Sequence, residues 1–430
     1  MEKYDLLIKN VLIPEKEGEW DIAVKDGKIE KIGKNIVGEA KYTINGKGKI
    51  AFPSFANMHT HISMTLLRGL GADLPLHDWL QKVIWPLEGE FVSPEFVKDG
   101  ALLGIVESIR SGTTLFMDMY FFEEAVAEAC EDVGIRAGLG FGILDFPTKV
   151  AKTPEEYIQR ARKFAEEFKN RELVFPVICP HAPYTCSPNT LRMAKELADE
   201  YGLLLHIHVA ETKEEVERIK EQYGKTPVEH LESIGFLDKN VLCAHMVWTT
   251  EKEREILKER DVKIAHCPES NLKLASGIAP VPDYVKRGIT VTLGTDGAAS
   301  NDNLNMLEET STCAKFHKGY NLDAKAIDAG TALKIATENG FKVAGIKAGK
   351  VEEGYEADLI LVDTDFPEFQ PLYDPISQFV YSANSECIDT VICKGKVLME
   401  KRELKTVDQE EIFAKARKWR EKILSKLSSL

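Results

Sequence analysis

The sequence predicts an α/β protein: a (β/α)8 TIM-type barrel carrying a small β-sandwich built from both chain ends. Three features carry that prediction. Eight short apolar runs alternate with longer amphipathic stretches between about residues 50 and 300, several of those runs end in a histidine or aspartate, and both flanks read as short alternating strands.

Taken from the N-terminus, residues 1–49 contain YDLLIKNVLIP, DIAVKDGKIEKIG and YTINGKGKI, where D-G and N-G pairs suit tight turns between strands. Residues 350–400 (KVEEGYEADLILVDTD, DTVICKGKVLME) have the same character. Neither piece alone can bury a core, so residues 1–52 and 349–405 are expected to build one composite sandwich. Residues 53–348 are then the barrel, and 406–430 a C-terminal amphipathic helix, read as a packing helix.

The expected barrel strands are IAFPSFANMHTH (50–61), TTLFMDMY (113–120), RAGLGFGI (136–143), ELVFPVICPH (172–181), LLLHIHVAE (203–211), NVLCAHMVW (240–248), VKIAHCPES (262–270) and TVTLGTDG (290–297). Between them lie stretches such as FFEEAVAEACEDVG and PEEYIQRARKFAEEF, apolar at helical spacing with a polar face, as crossover helices require. In such a barrel the C-terminal strand ends form one face. His61, His181, His208, His245, His266 and Asp296 would therefore converge there.

Composition narrows the partners. Of 430 residues, 55 are Lys or Arg and 69 Asp or Glu, a net charge of -14 with no basic block, so nucleic acid and anionic membrane are not expected partners and a small molecule is. No apolar run approaches the roughly 18 residues of a membrane span, and the start lacks a leader-like pattern, so a cytoplasmic location is expected. The eight cysteines are scattered with no C-x-x-C pair, which reads as buried thiols. Nothing in the composition speaks against a homo-oligomer.

The chemistry begins at His59-Thr60-His61. Residues two apart on a strand share a face, so both imidazoles point into the lumen. Alone the pair is weak, since core histidines are common; His208 ending the fifth strand and Asp296 ending the eighth strengthen it. His59, His61, His208 and Asp296 form a nitrogen-rich set suited to Zn2+, one ion per subunit, with Fe2+ or Mn2+ as substitutes. Asp296 can also accept a proton from the attacking water, His245 can stabilise developing charge, and Glu211 stands close enough to hand over a proton. The fourth strand end, VICPHAPY, offers His181 but no lysine or acid to bridge two ions, so one metal is expected.

HTH at 59–61, PHAPYTCS at 180–187, HVAETKEE at 208–215, AHCPESNLKLASGIAP at 265–280 and LGTDGAASNDNLN at 293–305 resemble the amidohydrolase superfamily, and within it the 5-methylthioadenosine/S-adenosylhomocysteine deaminases. The resemblance covers nearly the whole chain. It implies the same four metal ligands, Glu211 as donor to purine N1, His245 with Asp296 as the pair activating water, and conversion of the adenosine derivative to the inosine derivative with release of ammonia. It also implies that Glu88 accepts hydrogen bonds from the ribose 2′- and 3′-hydroxyls, that His181 is a second ribose contact, that Trp79 belongs to the apolar wall, and that Ser300 approaches an amino-acid tail. One departure stands out. Some members carry an Arg ending the third strand that meets a substrate carboxylate; here Phe141 stands nearest that position, with Lys149 or Lys152 as stand-ins, so uncharged 5′-substituents are expected to be preferred.

Plainer readings apply elsewhere. His77, His230 and His317 lie outside the strand-end pattern and read as structural; His206 reads as core or as support for the ligands, His266 as support or a helper at the mouth, and Trp85 as a core aromatic. Two rival functions remain: another deaminase or chlorohydrolase of the superfamily acting on guanine, a pterin or an s-triazine, or a catalytically inactive barrel kept as a binding subunit.

Overall fold

The computed structural model describes residues 1–429. Eight parallel strands surround a lumen: Phe55–Thr60, Thr113–Tyr120, Arg136–Ile143, an interrupted fourth at Val174–Pro176 and Cys179–Pro180, then Leu205–Val209, Val241–His245, Lys263–His266 and Val291–Leu293. The first four pair in parallel as one group and the last four as another.

The groups join at two seams. Between the fourth and fifth strands, the amides of His206 and His208 donate to the carbonyls of Ile178 and His181 at 2.9 and 3.0 Å. Between the eighth and first, the Asp296 amide donates to the His59 carbonyl at 2.9 Å. Asn57 fastens the same seam, accepting from the Thr295 amide at 3.0 Å and donating to its hydroxyl at 2.8 Å. A Cβ on Gly294 would stand 2.7 Å from the His59 nitrogen, so this approach of two backbones requires glycine. The seams matter because they bring His59 and Asp296 side by side.

Crossover helices start where the sequence supplies a hydroxyl. Thr153, Ser187, Thr212, Thr226 and Thr250 each accept a hydrogen bond from the amide three residues on, which satisfies a donor the helix leaves free.

Three expected elements differ. The run 50–61 is two strands, because Pro53 has no N–H to continue a ladder: Lys49–Pro53 pairs with Leu359–Asp363 in the end sheet, and Phe55–Thr60 enters the barrel. The run 172–181 breaks for a related reason, with prolines at 176 and 180. At the N-terminus the Asp26-Gly27 hairpin is present, both residues having positive φ (51° and 76°). Asn45-Gly46 is not a hairpin; the strands it joins, Glu39–Asn45 and Lys49–Pro53, both pair in parallel with Lys3–Leu12.

Both ends contribute to one nine-stranded sheet. Leu6, Ile8, Ile22 and Val24 from the front meet Leu359, Leu361 and Ile392 from the back in a core of their own. The C-terminal helix, Gln409–Leu427, packs Trp419 edge-on against Phe96 and donates its indole N–H to Asp99 at 2.9 Å. All eight cysteines are free and buried. Among the described residues no helix is long and apolar enough to cross a membrane.

One buried ion pair ties the barrel floor to the end sheet. Arg136, opening the third barrel strand, grips both oxygens of Asp358 at 3.0 Å, and Thr114 and the Lys394 amide also donate to that carboxylate, at 2.7 and 3.0 Å. Removing one member of a buried pair strands the other's charge, which costs about 3–5 kcal/mol. Asp358→Ala is therefore expected to lower unfolding free energy by about that amount. Denaturant titration checks this; a change under about 1 kcal/mol, the range of a surface pair, would contradict it.

Candidate active site

The residues that matter sit where backbone geometry is least ordinary. Ala210, His245, Met246 and Asp296, at the ends of the fifth, sixth and eighth strands, all have positive φ (54°, 80°, 48° and 63°). Non-glycine residues hold that conformation only when their surroundings enforce it. Here the amides of Met246 and Val247 donate to the carbonyls of Val209 and Ala210, both at 3.0 Å. The bends turn His245 and Asp296 toward one point.

That point is the floor of the lumen. His59 Nε2 and His61 Nε2 each lie 3.3 Å from Asp296 Oδ1, and His245 Nε2 lies 3.6 Å from both Asp296 Oδ2 and Glu211 Oε1. His59, His61 and His208 bring one nitrogen each within 4.8 Å of the others. Asp296 is oriented by its neighbours, Oδ1 accepting from the Gly297 amide at 2.9 Å and Oδ2 from the Ser270 hydroxyl at 2.8 Å.

The three histidines fit a metal, and their outer contacts are the reason. His61 Nδ1 donates to the Met119 carbonyl and His208 Nδ1 to the His181 carbonyl, each at 2.6 Å, while His59 Nδ1 bonds His206 Nε2 at 2.9 Å. With Nδ1 so engaged, each ring turns Nε2 inward, the support that ligand histidines need. His59 Nε2 is buried with no hydrogen-bond partner, a cost that coordination to a metal would offset. His206 thus holds the His59 ring from behind.

Burial and neighbouring charge set the protonation states. Burial would raise Asp296, but the imidazoles of His59 and His61 outweigh it and hold the carboxyl well below its ordinary range. Burial would depress His61, yet Asp296 lifts it to about 9. Glu211 is pushed well above an ordinary glutamate, first by burial and then by the charge of Asp296. Two acids within one site are therefore driven apart, one kept ionised and the other inclined to hold its proton. Burial lowers His245 and His181 to about 3, so both imidazoles are neutral.

Above this floor opens a cavity of about 330 Å3. His61, His208, His245, Glu211 and Asp296 line its base, and Trp79, Glu88, His181 and Ser300 line its walls, so of the residues expected to hold metal, act on the substrate or contact it, all but His59 border it, while His266, expected at the same strand-end face, does not. Glu88 is 7% exposed and pushed up to about 7 by burial, with Tyr120 and His61 opposing the rise. His181 Nδ1 bonds the Thr185 hydroxyl at 2.9 Å. Trp85, expected in the core, is 38% exposed at the rim, edge-on to Phe146.

The third strand needs correcting. Phe141 does not face the cavity; it packs outward on Phe164, under the Arg160 guanidinium, and the inward position belongs to Gly142. Strand alternation explains the one-residue offset. Lys149 lines the cavity, but its ammonium donates to the Val92 carbonyl at 2.7 Å; Lys152 is not on the wall.

A second cluster, His266, Cys313 and His317, looks like a ligand set and lacks the outer support of the first. Its imidazoles satisfy one another through Nε2 at 2.9 Å, and their Nδ1 atoms have no acceptor. It is a packed pair away from the cavity wall. His230 stacks on Tyr223 and His77 pairs with Glu214, as structural residues do.

Ser270, Asn271, Tyr120 and Glu215 escaped the sequence reading. Asn271 Nδ2 bonds His245 Nδ1 at 3.0 Å. Because His245 Nε2 faces two carboxylate oxygens, it must carry the ring proton, which leaves Nδ1 to accept from Asn271. Glu215 accepts from the amides of Ala210 and Glu211 at 2.5 and 3.4 Å and fixes the turn that presents Glu211. The only signal was S-N following His266 and a second glutamate four residues after Glu211.

Residues 50–398 match the Amidohydrolase family. The 5-methylthioadenosine/S-adenosylhomocysteine deaminase of Thermodesulfovibrio yellowstonii is 43% identical over 410 residues, covering 94% of this chain and 93% of that protein. The 5′-deoxyadenosine deaminase of Methanocaldococcus jannaschii is 44% identical over 420 residues, covering 96% and 98%. A crystal structure of an adenosine deaminase from Xanthomonas campestris with bound zinc superposes with a TM-score of 0.96 at 36% identity, covering 99% of each chain.

Proposed function

The chain belongs to the amidohydrolase family, and from that premise we propose that it hydrolytically deaminates adenosine derivatives to the inosine derivative and ammonia. The observation that carries the reading is the pairing of an ionised Asp296 with a proton-holding Glu211, both 3.6 Å from His245 Nε2, at the base of a cavity large enough for a nucleoside.

His59, His61, His208 and Asp296 would hold the metal, which we take to be one zinc ion. It would supply a Lewis acid that lets water ionise near neutral pH. Asp296 Oδ2, steadied by Ser270, takes the proton of the attacking water. The Nε2–H of His245, directed by Asn271, stabilises negative charge at the same point. Glu211 gives its proton to purine N1, so that electrons from the attack at C6 settle on a neutral ring nitrogen. The proton on Asp296 then passes to the departing amine, which leaves as ammonia, while the C6 hydroxyl gives its proton back to Glu211 as the carbonyl of the inosine derivative forms. Glu88 accepts from the two ribose hydroxyls, His181 offers its free Nε2 to the sugar, and Trp79 excludes water beside the base.

Ammonia release from adenosine, 5′-deoxyadenosine, 5′-methylthioadenosine and S-adenosylhomocysteine tests the reading, with adenine and guanine as controls. Nucleosides are expected to turn over at least about 100-fold faster than the free bases, since loss of a fitted polar contact costs several kcal/mol. Equal rates on free bases would instead favour a guanine- or triazine-type enzyme.

A further inference from the structure

A second cavity, about 360 Å3, adjoins the first and shares Trp85, Phe146 and Tyr184 with it. Its character is different. Where the inner cavity offers one cation already committed to a carbonyl, the outer one is lined by Arg218, Asp145, His77 and Gln81.

Arg218 packs on an aromatic ring rather than on an acid. It is exposed on the helix Lys213–Tyr223, its guanidinium 5.6 Å from the centre of the Tyr184 ring. Its natural partner one turn back, Glu214, is taken instead by His77 at 3.0 Å. Among the described residues no carboxylate pairs with Arg218. Asp145, from the loop after the third strand, accepts from the Ser187 amide at 3.0 Å through Oδ1, leaving Oδ2 available. One cavity therefore presents an unpaired cation and an anion that do not neutralise each other.

The outer cavity also adjoins the residues expected at the sugar. Tyr184 lines both cavities, with the His181 ring 6.1 Å and the Arg218 guanidinium 5.6 Å from the centre of its ring. We propose that the outer cavity binds the α-amino acid end of a 5′-thioether nucleoside such as S-adenosylhomocysteine, Arg218 taking the carboxylate and Asp145 the ammonium. A zwitterion is the chemical class that matches one fixed charge of each sign, and guanidinium suits a carboxylate through paired N–H donors. A methylthio group carries no charge for either residue to meet. The inference rests on the deaminase reading; it departs from the expectation of a preference for uncharged substituents, because the charged end is met by a helix the sequence pattern did not connect to the site.

Steady-state ammonia release from S-adenosylhomocysteine and 5′-methylthioadenosine tests it, using the metal-loaded enzyme and Arg218→Met, Arg218→Lys and Asp145→Asn. Methionine keeps the length that packs on Tyr184. Arg218→Met is expected to raise KM for S-adenosylhomocysteine about 10- to 100-fold with kcat unchanged, while 5′-methylthioadenosine serves as the unaffected reference. Lysine should restore part of the loss, and added salt should raise KM for the charged substrate alone. Equal shifts for both substrates, no shift for S-adenosylhomocysteine, or wild-type enzyme that accepts 5′-methylthioadenosine and ignores S-adenosylhomocysteine would each overturn the subsite and leave the deaminase reading intact. Failure on every adenosine derivative would remove both.

Discussion

Glu211→Gln is expected to lower kcat about 1000-fold while bound metal and thermal midpoint stay at wild-type values. Glutamine keeps the shape of the side chain and its buried volume, and it cannot deliver a proton to N1. Because Glu211 is 5% exposed and stands 3.6 Å from His245 with no ligand role in the site, the loss should be confined to the chemical step. Single-turnover ammonia release, metal analysis and a thermal melt on the same preparation separate these effects. A variant within about tenfold of wild type would show that N1 obtains its proton elsewhere, since positioned acids contribute 100-fold or more. A variant that had lost metal would instead place Glu211 among the ligands.

Metal removal is the second large effect. Chelation should abolish ammonia release and lower the thermal midpoint, and both should return on adding zinc. The stability change follows from binding to the folded state alone, about 4 kcal/mol when free metal exceeds its dissociation constant 1000-fold. The geometry gives this a physical source: His59 Nε2 is buried without a partner, and the three imidazoles are held in one orientation by carbonyls and His206 whether or not an ion is there. Full activity after exhaustive chelation, with no metal detected, would remove the metal-dependent mechanism, whereas a protein that takes up no metal and releases no ammonia would leave a binding barrel as the better reading.

Much of this was legible in the chain itself because strand periodicity is strict. His59 and His61 share a face wherever that run is extended, and a run that ends in His208 or Asp296 announces a strand end. The resemblance, not the periodicity, set Phe141 nearest the substrate, and an offset of one residue exchanges the lumen for the outer wall and hands the position to Gly142. Trp85 was misjudged because an aromatic's default is burial, whereas this one rims an opening. Asn271 and Ser270 gave no warning, since an amide and a hydroxyl acquire a role only from what they touch.

The sequence by itself determined the barrel, the pooling of both ends into one sheet, and which histidines and aspartate stand at the strand ends, because hydrophobic period and residue chemistry are local properties written in order along the chain. Tertiary structure decided what no local pattern encodes: that Asn57 and Gly294 close the cylinder so that His59 meets Asp296, that Ser270 and Asn271 aim the acid and the imidazole, and that Arg218 is left unpaired beside Tyr184. Those are distances between residues remote in the chain, and distance is fixed only when the seams are closed and packed.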